Sequence, residues 1–116
     1  MPEFDADRFA EDKYVDYLTD LQQAYKNAFD RMNDRYDSKL VHAIDQEVLN
    51  ESEPFYEGDG RFRLEVPEDP ADRVTSVVVG DEKLQGVLEA YRETVEREIA
   101  RQFGFDPDEG SATAAE

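Results

Sequence analysis

Tyr14, Leu18, Leu21, Tyr25, Ala28 and Met32 follow one another at steps of 4, 3, 4, 3 and 4. Only an α-helix brings such positions onto one face. Val15 and Phe29 flank the seam, and acids and amides fill the opposite face. The spacing predicts one long helix from about Ala6 to Tyr36, with Phe4 and Phe9 as the hydrophobic staple around an Asp5 cap. At 1.5 Å per residue such a rod is roughly 45 Å long. Its apolar stripe must be covered, either by the rest of the chain or by a second copy. The 116 residues suffice for one core but not for two, and without cysteine there is no disulfide to staple a smaller unit.

The remaining elements follow from similar patterns. In "RYDSKLVHAIDQEVLNES" a shorter helix is expected from about Lys39 to Leu49, although the β-branched residues of Val41 to Val48 also permit a strand. Phe62, Leu64 and Val66 alternate with Arg61, Arg63 and Glu65, which predicts a strand ended by Pro67. "DRVTSVVV", Arg73 to Val79, reads as a second strand. A third would run through Phe55 and Tyr56, paired across Gly58-Asp59-Gly60. Asp81 opens a final helix with Leu84, Leu88, Tyr91, Val95, Ile99 and Phe103 on one face. Gly104, Phe105 and Pro107 are placed for its glycine stop. On the solvent side of that helix Glu93, Arg97 and Arg101 stand at successive i,i+4 positions. The expected fold is α+β: a long N-terminal helix, a short second helix, a small antiparallel sheet of two or three strands, and a C-terminal helix packed on the first. Residues 1–105 form one globular domain in this reading, and 106–116 a disordered acidic tail.

Charge sets the working conditions. Thirty Asp and Glu face 13 Lys and Arg, a net charge of -17, and only four of the bases are lysine. The acids are spread over the whole chain, so they do not form an interaction arm. Their mutual repulsion penalises a compact state at ordinary salt. In molar salt the screening length falls to about 3 Å and the penalty fades. This composition describes a protein adapted to concentrated salt. It argues against nucleic acid as a partner, because no basic cluster exceeds "RFR" at Arg61 to Arg63. No apolar run approaches a membrane span, and "MPEFDADRF" has no basic-then-apolar leader, so a cytoplasmic location is expected.

Chemistry-bearing motifs are sparse. On the helical reading His42 has Asp45 and Gln46 three and four residues on, a candidate ligand-binding trio. With one histidine and no cysteine, no zinc or two-histidine iron site is possible within one chain, and neither metal nor cofactor is expected. A histidine at a helix junction is the simpler explanation. "DPDEG" at residues 106–110 departs from a calcium loop by carrying Gly110 where an Asp or Asn belongs. "NES" at Asn50 is a chance sequon, and Gly58-Asp59-Gly60 is too short to cradle phosphate. No catalytic signature is present, so a non-enzymatic reading is favoured. The wide tyrosine-bearing seam points instead to a protein contact through Tyr14, Leu18, Leu21, Tyr25 and Met32, with a dimer of this chain or another protein as the partner. The alternative is a small-ligand or hydrolytic pocket near His42.

"RYDSKLVHAIDQEVLNESEPFYEGDGRF", taken with the opening "MPEFDADRF", resembles a family of small acidic haloarchaeal proteins that has no assigned function. The resemblance spans the chain to about Phe105. It implies a salt-loving archaeal source and a stand-alone cytoplasmic protein, and it brings with it no catalytic residue, ligand or partner.

Overall fold

The computed structural model describes residues 6–58, 60–75 and 77–105. The expected Phe4 staple, the Asp5 cap and the tail at 106–116 lie outside these residues. The fold is α+β. Helix α1 (Ala6–Asp12) leads to α2 (Leu18–Arg35) and α3 (Ser38–Glu47). A 3-10 turn (Leu49–Glu51) follows, then strands β1 (Glu53–Gly58) and β2 (Arg61–Glu65), a short α4 (Pro70–Arg73) and α5 (Asp81–Gln102). Helix α5 packs on α2, β2 lies against α5, and α1 covers β1.

The single long N-terminal helix is overturned: the chain breaks between Asp12 and Leu18. The Asp12 carbonyl accepts the N–H groups of Val15, Asp16 and Tyr17 at 2.9, 2.8 and 3.3 Å, which closes α1 in a tight turn. Neither glycine nor proline forces this. Phe9, fully buried, stacks on Tyr17 with centroids 5.9 Å apart and meets Phe62 and Phe103 edge-on at 5.3 and 5.8 Å. On a continuous helix residues 9 and 17 would lie about 12 Å apart along the axis. The ring stack therefore requires the break. Lys13 sits at the bend, 2 % exposed, donating to the Pro54 carbonyl at 2.9 Å and pairing with Glu53 at 2.8 Å. Its ammonium also lies 4.1 Å from the centre of the Phe55 ring.

Residues 41–47 are helical, and Asp37 caps α3 by accepting the Leu40 N–H at 3.1 Å. The first and third strand candidates pair as one antiparallel hairpin. Its register runs from Glu53↔Glu65 to Gly58↔Arg61, with an irregularity between Tyr56 and Gly58. The strand expected at Arg73 to Val79 does not form: α4 occupies its start, and the described residues beyond pair with no strand. Each strand of the hairpin makes one bond outside the sheet. The outward Leu64 N–H of β2 donates to Glu96 Oε2 at 2.8 Å, while Lys13 takes the Pro54 carbonyl of β1. Thr75 is tied instead to Glu47, which accepts both its N–H and its hydroxyl at 2.9 Å.

Helix α5 begins one residue earlier than an Asp81 cap would place it, with Gly80 in the capping position. It ends in a Schellman motif. Phe105 N–H bonds the Ala100 carbonyl at 2.8 Å, Gly104 N–H bonds that of Arg101 at 3.1 Å, and Gly104 takes φ +87°. The core lies between α2 and α5 and under the hairpin, where Met32, Ile44, Leu64, Tyr91, Val95 and Ile99 are fully buried.

Candidate functional site

The break before α2 leaves Tyr14 and the first turns of α2 facing α3 and the start of β1. Between them lies an open groove of about 700 Å³. Leu21, Leu49 and Pro54 are buried and form its floor. Tyr14 and Leu18 stand on the rim, 54 % and 40 % exposed. Gln22, Asp45, Gln46, Asn50 and Ser52 supply the polar wall, and Tyr25 joins the two surfaces.

That junction is a short relay of hydrogen bonds. The Ser52 hydroxyl donates to the Leu49 carbonyl at 2.6 Å, so the bond of 2.8 Å between Tyr25 and Ser52 is donated by the phenol. Burial pushes the Tyr25 phenol up to about 12, against the lowering effect of the Ser52 contact. It is neutral at any physiological pH. On the far wall the Tyr91 hydroxyl donates to Asp45 Oδ1 at 3.3 Å. Burial and the Asp45 charge both hold the Tyr91 phenol above its ordinary range. The Tyr14 phenol is raised too, first by partial burial and then by Glu53.

Charge is scarce here. In a chain with 37 % charged residues, the eleven lining the groove include one, Asp45, which already holds a hydrogen bond. The surface offers phenols, amides and a hydroxyl above an apolar floor. Such a surface binds by shape and directed hydrogen bonds. Among the described residues no group of three or more His, Cys, Asp or Glu is placed to hold a metal ion, and no helix is long and apolar enough to cross a membrane.

The residues singled out from sequence are divided by the fold. Tyr14, Leu18, Leu21, Tyr25, Asp45 and Gln46 converge on the groove. His42 does not line it; its ring is exposed and packs edge-on against Phe29 at 4.8 Å. Met32 lies in the core at 1 % exposure, 3.7 Å from the Thr94 hydroxyl, and does not line the groove. Gln22, Leu49, Asn50, Ser52 and Pro54 went unmarked. Only Gln22, four residues after Leu18, carried a local signal; the others are brought in by the 3-10 turn and β1.

A family model described as a family of unknown function, DUF5783, matches residues 1–106. No curated protein and no solved structure matches the chain. The family match takes in every element from α1 to α5, and with it the whole groove. The chain belongs to the DUF5783 family.

Proposed function

We propose that the protein is a non-enzymatic interaction module, active in concentrated salt, whose groove receives the Tyr14–Leu18 rim of a second copy. The observation that carries this reading is the local loss of charge around the groove, set against a net charge of -17 for the chain. Depletion of charge at an apolar patch with exposed aromatic residues is the compositional mark of an interface core. Two exposed apolar side chains beside a concave apolar floor are also self-complementary. A two-fold axis near the rim seats each copy's Leu18 in the other's groove. In molar salt the flanking acids are screened within about 3 Å, so the two acidic faces approach at little cost.

Sedimentation equilibrium in concentrated KCl tests the reading. It requires a mass near twice 13.4 kDa that dissociates on dilution. A constant 13.4 kDa at tens of micromolar protein contradicts it.

A second reading rests on the polar wall. A groove of about 700 Å³ falls within the range of small-molecule sites, roughly 300–1,000 Å³. Asp45, Gln46, Asn50 and Ser52 would then orient an uncharged or cationic ligand with an apolar body. Thermal stabilisation by such a ligand, abolished by Gln46→Leu, would favour this alternative over self-association.

A further inference from the structure

Asp45 is the one charged residue in the lining of the groove, and its carboxylate is only half used. Oδ1 accepts the Tyr91 hydroxyl at 3.3 Å, and no basic side chain among the described residues pairs with the group. Glu53 lies close enough to act on the Tyr14 and Tyr25 phenols, but Lys13 balances it at 2.8 Å. The uncompensated charge of this concavity is therefore that of Asp45.

The neighbouring hydroxyl hydrogens are already committed. Tyr25 donates to Ser52 and Ser52 donates to the Leu49 carbonyl, so both oxygens can only accept from a third group. Gln46 and Asn50 add amide carbonyls to the same wall. An occupant that covers this wall strips water from Asp45. An uncharged occupant leaves the carboxylate dry and unpaired, and an anion adds repulsion, so both are penalised. A cation with several N–H donors satisfies the charge and the surplus lone pairs together.

The floor of Leu21, Leu49 and Pro54 decides the rest of the ligand, because only an organic group gains from covering apolar surface. A potassium ion gains nothing there. In molar salt the screening length is about 3 Å, so the general acidity of the chain does not select an occupant, whereas contact with Asp45 does. We propose that the groove binds a primary organic ammonium ion, with its head on Asp45 and its apolar body on the floor. This rests on the second reading above, in which the groove is a small-ligand site.

The test is a titration of the full-length, 15N-labelled protein in KCl of constant concentration, followed through the amide signals of the groove by NMR. Two probes of similar shape are compared at neutral pH: phenethylamine, which is protonated, and 2-phenylethanol, which is uncharged. The expected result is saturable one-to-one binding of the amine, with the alcohol weaker roughly tenfold. Asp45→Asn keeps an oxygen for the Tyr91 hydroxyl and is expected to remove the preference. Glu93→Gln, on the exposed face of α5, makes the same change in net charge and is expected to preserve it. An alcohol that binds as tightly as the amine overturns the proposal but keeps the groove as a ligand site. No saturable shift from either probe overturns both and leaves the groove to a second copy. Amine shifts spread over the surface acids, or lowered equally by Glu93→Gln, mean counterion association only and also overturn it. Thermal melts of both variants separate lost binding from lost folding.

Discussion

Lys13 shows how one side chain can outweigh a seven-residue repeat. Its neighbours Tyr14 and Leu18 begin a seam that fits a continuous helix, yet Lys13 is turned inward and holds β1 through Pro54, Glu53 and the face of Phe55. A buried ammonium is stable only with such partners. Replacing it with alanine strands the Pro54 carbonyl and releases α1 from the hairpin. Lys13→Ala is expected to destabilise the protein by about 2 kcal/mol, less than a fully buried ion pair would cost because Glu53 is half exposed. Chemical denaturation of the two proteins checks the size, and hydrogen exchange should show the loss concentrated in residues 6–17. Nothing in the residue type announces this role. A lysine between Asp12 and Tyr14 reads as solvent-facing until the strand it touches is known.

At the level of elements, what could be read from the chain was what each segment decides alone. The alternation of Phe62 and Leu64 with Arg61 and Arg63 settles β2, and Gly104 with Phe105 marks the end of α5, because both signals are local. The break after Asp12 could not be read, since it depends on Phe9 finding Phe62 and Phe103, which lie more than fifty residues away. The strand-like run of Arg73 to Val79 misleads for a related reason. Its β-branched residues suit a sheet, but α4 takes its start and Thr75 is bonded to Glu47 of α3. The groove was half visible: its α2 face follows the seam, whereas its floor needs the 3-10 turn. The meeting of Arg31 and Arg35 of α2 with Arg97 and Arg101 of α5 was invisible, because the two pairs lie more than sixty residues apart. The hairpin turn gives a sharper test of the packing. Gly58 and Gly60 both have positive φ, at +94° and +75°, but a Cβ on Gly60 would lie 2.9 Å from the Phe105 ring while one on Gly58 meets nothing within 4 Å. Each alanine should cost about 1–2 kcal/mol for the left-handed backbone. Gly60→Ala should cost roughly 1 kcal/mol more, because Phe105 must move; equal denaturant midpoints for the two variants would contradict that contact.

For the whole molecule, charge is the organising variable. The described ion pairs are mostly short-range and exposed, such as Arg8–Asp12 and Lys26–Asp30, and contribute little each. They leave the excess of acids unneutralised. The folded state is therefore expected to gain stability as KCl rises from about 0.1 M to 1 M, over which the screening length falls from about 10 to 3 Å. Melting temperatures across that series check it, and a flat or falling trend would refute adaptation to concentrated salt. The same repulsion makes any contact between copies depend on a patch that lacks charge, and exposed apolar side chains of the described residues offer more than one candidate. One is the groove with its Leu18 rim; another is the fully exposed Val78 in the segment before α5. The most direct measurement is the molar mass of Leu18→Glu and Val78→Glu beside the parent protein, by sedimentation equilibrium in concentrated KCl. The groove account predicts a dimeric parent, a monomeric and folded Leu18→Glu, and a dimeric Val78→Glu. A Leu18→Glu protein that stays dimeric, or a parent that is already monomeric, would contradict it.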